Sequence, residues 1–229
     1  MKKLLFGTLL LSIFLTGCSG TTQTSQSNQG GSGGGSVSVS VQSSSDFKED
    51  EILNSLTTTT YTWHNTYNSY LALIVKNNSS TDCSLEANVL FKNADGATIG
   101  ASDSSRETFE ANTETCLIFS NEEPFTDFTY EYSVSKLNYY DCVTSGLQCE
   151  VTPASKKAVI SVTNNGDKIA EWVTYTALFM QGENVVSSNW GYIMDDDSEL
   201  KIGKTITEEA SCFEDFDSVK VFLSGRAER

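Results

Sequence analysis

The side chains best suited to covalent chemistry in this sequence are six cysteines and a single histidine, His64. Outside the Ser/Gly-rich stretch that precedes residue 46, the chain has no Gly-x-Ser-x-Gly, His-Glu-x-x-His or phosphate-binding glycine motif. Glu122 and Glu123 are adjacent, and adjacent residues on an extended strand point to opposite faces, so they do not form an acid pair. The sequence therefore predicts no catalytic residues, no cofactor, no metal site and no enzymatic activity.

Cys18 follows a segment with the features of an export signal. Two lysines precede residues 4–15, which are mostly apolar but fall short of the roughly 20 residues that span a membrane. The segment ends in Leu15-Thr16-Gly17-Cys18, which resembles the lipobox of bacterial lipoproteins. The resemblance implies removal of a signal peptide (1–17), diacylglycerol and palmitate on Cys18, and anchoring to the extracytoplasmic side of a bacterial cell membrane. A general signal peptide with an incidental cysteine, or an uncleaved anchor, is the alternative.

The charge of the chain excludes two classes of partner. Fifteen basic and thirty acidic residues give a net charge of −15, which repels nucleic-acid phosphates and anionic lipid headgroups. Contact with a membrane therefore depends on the lipid at Cys18. Residues 18–45 are rich in Ser, Gly, Thr and Gln, a composition typical of a flexible linker. Apolar and acidic residues over 46–56 predict a short helix that leads into the fold.

The remaining sequence contains an internal repeat. Three pairs of segments align in the same order and at nearly the same offset: 71–79 with 158–166, 87–91 with 175–179, and 127–128 with 215–216. The second segment of each repeat is followed by a glycine turn, at Gly96 and at Gly182. This agreement predicts two homologous modules.

The local patterns predict β-strands in both modules. Tyr130, Tyr132 and Val134 alternate with polar residues, as expected for a strand with one buried face. Short β-branched and aromatic segments with turn residues at intervals of about 8–12 residues are typical of an immunoglobulin-like sandwich. The sequence predicts an all-β chain with two tandem immunoglobulin-like antiparallel β-sandwich domains, 46–137 and 138–229, after the signal peptide and the linker.

A family resemblance accompanies this pattern. A strand that ends in Asn-Asn, a strand that ends in Phe, a glycine turn and a later Gly203-Lys204-Thr205 together resemble the FxLYD-type domain. Ala111-Asn112-Thr113 takes that last position in the first module. The family consists of small β-sandwich modules, often in tandem, in bacterial envelope lipoproteins. The resemblance covers 61–135 and 150–224, lacks the Phe-x-Leu-Tyr-Asp string, and implies a domain with no known catalytic residues.

The remaining cysteines are candidates for disulfides, because extracytoplasmic cysteines usually pair. The candidates are Cys83, Cys116, Cys142 and Cys149. A bridge between Cys142 and Cys149 would close the turn between the modules, and Cys149 with Cys212 is the alternative pair. Cys-x-x-Cys spacing is absent, which argues against a redox or metal role.

Aromatic and acidic residues provide two further candidate sites. Trp63, Trp190 and Tyr192 either form a platform on which a ligand stacks or belong to the core, and the core is favoured for Trp63 and Trp190. Trp172, at the start of a strand, is predicted to be a core residue. The acidic run 195–199 offers oxygen ligands for calcium but lacks the EF-hand pattern, which favours a solvated turn.

These observations favour a lipid-anchored envelope or cell-surface protein with a binding or scaffolding role, whose ligand is an unidentified protein or polysaccharide. The alternatives are a carbohydrate-binding surface protein and, less favoured, an unrecognised hydrolase. No nucleic-acid partner is expected.

Replacement of Cys18 tests the predicted anchor. Cys18→Ala removes the thiol that would accept diacylglycerol, so the variant should leave the membrane fraction or remain unprocessed. Metabolic fatty-acid labelling combined with detergent partitioning measures both outcomes. A variant that still incorporates the label and enters the detergent phase would refute lipidation at Cys18.

Overall fold

The computed structural model describes residues 47–229, and the predicted signal peptide, lipidation site and linker lie outside the described residues. The elements in chain order are α1 (Glu49–Ser55), β1 (Leu56–His64), β2 (Ser69–Asn77), β3 (Cys83–Lys92), β4 (Thr98–Phe109), β5 (Glu114–Asn121), β6 (Asp127–Ser135), β7 (Tyr140–Cys142), a 3₁₀ turn (Thr144–Gly146), β8 (Leu147–Ala154), β9 (Lys157–Asn164), β10 (Ala170–Gln181), β11 (Asn184–Tyr192), β12 (Glu199–Leu200), β13 (Thr205–Ser211) and β14 (Ser218–Glu228). The helix predicted over 46–56 is confirmed as α1. Among the described helices, none has the length and apolar content needed to span a membrane.

The strands form four antiparallel sheets. Sheet A has the order β1-β2-β5, sheet B β4-β3-β6, sheet C β11-β10-β14-β7 with β12 also paired to β10, and sheet D β13-β9-β8. Sheets A and B enclose one apolar core and form the first sandwich, while sheets C and D enclose another and form the second sandwich. The predicted all-β sandwich class is confirmed. The described residues belong to one compact unit, Ser44–Arg229, and the division into domains 46–137 and 138–229 stays a prediction.

The strand pairings of the two sandwiches repeat. The order β1-β2-β5 in sheet A has its counterpart in β8-β9-β13 of sheet D, and β4-β3-β6 in sheet B has its counterpart in β11-β10-β14 of sheet C. The glycine turns also correspond, because Gly96 (φ 79°) lies between β3 and β4, and Gly182 (φ 61°) lies between β10 and β11. The repeat read from the sequence is therefore a repeat of sheet topology.

Two buried asparagines hold equivalent turns in the two sandwiches. The Nδ2 group of Asn77 donates to Thr81 O at 3.0 Å, and that of Asn164 donates to Lys168 O at 2.8 Å. The Oδ1 atom of each accepts the backbone N–H two residues further on, from Ser79 and Gly166. These amides take the place of backbone partners where each strand ends. The Asn-Asn pairs in the sequence thus mark the same turn twice.

Side chains alternate between core and solvent in the outer sheets. Every second residue of β3, from Cys83 to Phe91, is buried in the first core. In β9 the buried positions are likewise every second residue, from Ala158 to Asn164. Ile52 of α1 adds a helical side chain to the first core. This period of two is expected for strands with one buried face.

Sheets A and C pack against each other, and this contact buries both of their faces. Residues 71–75 of β2 are all buried, as are residues 175–180 of β10. Ala72, Ile74 and Cys116 of sheet A meet Leu178 and Met180 of sheet C in a third apolar cluster. A hydrogen bond from Thr108 Oγ1 to Gly225 O at 3.0 Å also joins the two sandwiches. The β2 and β10 sequences are therefore nearly continuous apolar runs rather than alternating ones.

Replacing the equivalent core phenylalanines tests both sandwiches. Phe91 and Phe179 are fully buried, as the repeat predicts. Phe91→Ala and Phe179→Ala should each lower the free energy of unfolding by about 3–5 kcal/mol, because each leaves a cavity. Chemical denaturation measures the loss. Phe213, which is 88% exposed, supplies the control: Phe213→Ala should cost less than about 0.5 kcal/mol. An equal loss of unfolding free energy in Phe213→Ala and Phe91→Ala would contradict the placement of Phe91 in the core.

Candidate functional site

Three aromatic rings form an exposed platform on sheet C. Trp190 is 68% exposed, Trp172 45% and Tyr192 43%. Tyr192 stands edge-on to both tryptophans, with ring centroids 5.8 Å from Trp190 and 6.0 Å from Trp172. Trp190 and Tyr192 belong to β11, an edge strand of the sheet. The sequence analysis favoured a core position for Trp190, and its exposure contradicts that interpretation, while Tyr192 also lies at the surface.

Trp172 corrects the sequence analysis, which predicted a core residue. The pairing of β10 with β14 shifts in register between Glu171 and Thr174. Trp172 lies within this irregularity with φ 49°, and its N–H donates to Ser198 O at 3.0 Å. Such bulges change the direction of a side chain. The Trp172 ring therefore reaches the platform, while Val173 enters the second core.

Trp63 does not belong to this platform. It is only 8% exposed and lies in the cluster between sheets A and C. Its ring stacks on Tyr70, with centroids 5.2 Å apart and planes at 9°. Of the two alternatives given to Trp63, the structure places it in the core.

A groove runs beside the platform where the two sandwiches meet. Thr174 and Thr176 of β10 lie directly opposite Tyr192 and Trp190 in the strand register, so these four side chains share one face of sheet C. The same face continues beneath sheet A at Leu178. The cavity measures about 240 Å³ and is lined by Ser104, Arg106, Ile118, Thr174, Tyr175, Thr176 and Trp190. We call these residues, with Trp172 and Tyr192, the aromatic–arginine groove.

Arg106 of β4 forms the wall of the groove on the side of the first sandwich. Its Nε donates to Thr115 Oγ1 at 3.1 Å, Nη1 to Ser105 O at 3.0 Å and Nη2 to Cys116 O at 2.6 Å. A longer contact of 3.5 Å joins Nη2 to Thr176 Oγ1 of the second sandwich. Burial lowers the pKa of the guanidinium from its ordinary value of 12.5. The guanidinium is thus held by neutral acceptors.

The sequence analysis missed Arg106, Thr174 and Thr176 as site residues. Arg106 is far from Trp190 along the chain, and no local pattern links β4 to β11. The glycine turn at Gly182 predicts a hairpin, but a register shift between Phe179 and Met180 decides that Thr176 lies opposite Trp190. No local pattern indicates that shift.

The candidate disulfides are not formed in the structure, in which all five cysteines of the described residues are free. Cys83 belongs to the first core, whereas Cys116 belongs to the cluster on the opposite side of sheet A. Cys142 lies in sheet C, Cys149 lies in sheet D, and the turn between them carries the chain from one sheet to the other. The two ends of this turn therefore enter different sheets, and the predicted bridge between Cys142 and Cys149 is not formed.

The acidic run forms a turn in which one lysine contacts three of the carboxylates. Carboxylate oxygens of Asp195, Asp197 and Glu199 lie within 4.8 Å of one another. The Nζ atom of Lys201 lies 3.5 Å, 3.5 Å and 3.6 Å from these three carboxylates. Asp195 Oδ1 also accepts the N–H groups of Glu199 and Asp197, and these bonds lower its pKa. The arrangement agrees with the favoured interpretation as a solvated turn.

Comparisons with known proteins identify no family. No protein-family model matches the chain, and no curated protein matches it. Among solved structures the chain is similar to red sea bream transglutaminase, with 11% sequence identity and a TM-score of 0.25 over 75% of this chain. The chain spans 29% of the length of that protein. The resemblance to the FxLYD-type domain stays a prediction.

The prediction that the chain is not an enzyme requires correction. A transglutaminase is among the solved structures to which the chain is similar, so the missing motifs do not exclude enzymatic activity. A TM-score of 0.25 transfers no catalytic residue and no reaction to this chain.

Thiol chemistry tests the placement of the buried cysteines. Burial raises the pKa values of Cys83 and Cys116 from 9.0 to about 12, and the thiolate is the reactive form. Both should resist iodoacetamide at pH 8 in the folded protein and react after denaturation, as followed by peptide mass mapping. Because the folded-state pKa values exceed the unfolded ones, stability should fall as pH rises from about 9 to 12. Disulfide-linked peptides in a non-reducing map would contradict the free thiols.

Proposed function

We propose that this chain is a lipid-anchored protein on the extracytoplasmic side of a bacterial cell membrane that binds carbohydrate in the aromatic–arginine groove. The observation that carries the proposal is a contiguous set of exposed aromatic rings beside hydroxyl and guanidinium groups. The predicted tandem domains and the FxLYD-type resemblance belong to the same proposal.

The aromatic platform is the part of the groove that supports a saccharide ligand. Single exposed apolar residues are normal on a protein surface, but a contiguous exposed patch marks an interaction site. Tyr192 contacts both Trp172 and Trp190, and all three side chains are substantially exposed. One face of a pyranose ring carries mainly C–H groups, and this face packs well against a large aromatic ring. The platform thus offers surface that suits a sugar.

Polar groups on the other side of the groove also support the binding of a saccharide. Thr174 offers a hydroxyl on the floor, whereas Thr176 is buried there and contacts Arg106. Ser104 and Arg106 lie on the wall. Ligand sites combine apolar surface with a few such polar groups, which fix the orientation of the ligand. The cavity of about 240 Å³ is smaller than the roughly 300–1,000 Å³ of pockets that enclose drug-sized molecules. A short section of a polymer lying along the groove suits this size.

The predicted anchor is compatible with such a role. Lipidation at Cys18 would attach the protein to the membrane, and the 18–45 segment would separate the binding groove from the bilayer. The net charge of −15 disfavours direct contact with anionic lipids. A surface polysaccharide is a ligand that a protein in this location would meet.

Calorimetric titration tests the proposal. The folded protein is titrated with soluble β-glucan, galactan and galacturonan oligosaccharides. Calorimetry is used instead of tryptophan fluorescence because replacing Trp190 would also remove a fluorescent reporter. Trp190→Ala should weaken the binding of a recognised saccharide by about tenfold or more, because aromatic anchors dominate binding energy. Phe213→Ala, which removes an aromatic ring outside the groove, should leave the affinity unchanged.

Two results would count against carbohydrate binding in this groove. One is equal affinity of the native protein and the Trp190→Ala variant for a saccharide that binds. The other is the absence of binding to every saccharide class, which would direct attention to a protein ligand instead.

A further inference from the structure

Arg106 differs from the other arginines in having no acidic partner. Arg226 pairs with Glu107, and Arg229 Nε lies 2.9 Å from Asp141 Oδ1. Arg106 makes no salt bridge to the described residues, although acidic residues outnumber basic ones two to one in the chain. The cation beside the groove is therefore not neutralised by the protein around it.

The contacts of Arg106 fix its position without balancing its charge. Its three short hydrogen bonds end on Thr115 Oγ1, Ser105 O and Cys116 O, all of which are neutral. A guanidinium has five N–H donors, and the three short bonds with the 3.5 Å contact from Nη2 to Thr176 Oγ1 use four of them. One N–H, on Nη1, therefore remains for a further acceptor. Removing a cation from water is costly unless it is paired. A negatively charged ligand group would supply the missing partner, and a carboxylate matches the planar guanidinium in shape and charge.

The position of Arg106 relative to the platform limits the ligand. Arg106 and Trp190 line the same cavity of about 240 Å³, from different sandwiches. A sugar ring stacked on Trp190 would extend its substituents toward the Arg106 wall. A uronic acid carries one carboxylate directly on its ring, so a single residue of this class can use both features.

We infer that Arg106 makes the groove selective for saccharides that carry a carboxylate, with uronic acids as the ligand class. This inference rests on the proposed carbohydrate binding. Trp190 supplies stacking for any pyranose, and Arg106 supplies the discrimination between acidic and neutral rings.

The test varies the ligand before it varies the protein. The native full-length protein is titrated with galacturonan oligosaccharides, with their methyl esters and with neutral galactan oligosaccharides. The methyl ester keeps the ring and removes the charge, so its binding should be about tenfold to a hundredfold weaker than that of the acid. Sialyllactose, whose carboxylate is attached to a different sugar skeleton, distinguishes uronic acids from other carboxylated sugars and should bind more weakly.

Two variants then assign the discrimination to Arg106. Arg106→Gln should abolish the preference for the acid over its ester, so that the two forms bind with equal affinity, and Arg106→Lys should retain part of that preference. Trp190→Ala should weaken the binding of both forms by the same factor. Thermal unfolding of each variant confirms that it is folded, and the ester comparison on the native protein does not depend on any variant.

The outcomes separate this inference from the proposed function. Equal affinity for the acid and the ester, together with binding that depends on Trp190, would overturn the selectivity and leave carbohydrate binding intact. A preference for the acid that survives in Arg106→Gln would overturn the role of Arg106. Absence of binding to all saccharides would overturn both. Stronger binding of sialyllactose than of galacturonan would overturn the uronic acid class.

Discussion

The packing of sheet A against sheet C is the contact on which the rest of the structure depends. It requires β2 and β10 to be apolar on both faces, and residues 71–75 and 175–180 meet that requirement. Burial on this scale is the main favourable contribution to association of two apolar surfaces. Sheet A covers only part of this face of sheet C, because the face that carries Leu178 continues past Thr176 to Trp190, which is exposed. The groove is thus the uncovered end of the interface.

The contact joins surfaces that are not equivalent in the repeat. Sheet A is the counterpart of sheet D, and sheet C is the counterpart of sheet B. When two unlike surfaces form a contact, further copies of that contact can add on if the equivalent surfaces that remain free are complementary to each other. Here the free surfaces are the outer faces of sheets D and B. They are polar: Ser161 and Thr163 bond Thr207 and Thr205 across the outer face of sheet D, and β3 presents exposed residues such as Glu86 on sheet B. These outer faces therefore differ from the apolar faces that sheets A and C bury against each other.

Features encoded in local patterns could be predicted from the sequence, and features that depend on which sheets meet could not. The repeat around Asn77 and Asn164 was accessible because a strand, its buried amide and its turn are consecutive in the chain. The exposure of Trp172 was not, because it depends on a register shift in the pairing of β10. Cys83 and Cys116 illustrate the same limit: each is buried, but they lie on opposite sides of one sheet.

A groove built from two sandwiches has its geometry set by the contact between them. Arg106 illustrates this dependence, because its guanidinium is held by Thr115 and Cys116 of its own sandwich and reaches Thr176 of the other. A ligand that contacts Arg106 and Trp190 together binds only the packed arrangement. By mass action such a ligand stabilises the contact between the sandwiches as well as the groove. Rigid placement of the two halves in turn lowers the entropic cost of binding, so the apolar interface and the polar site depend on each other.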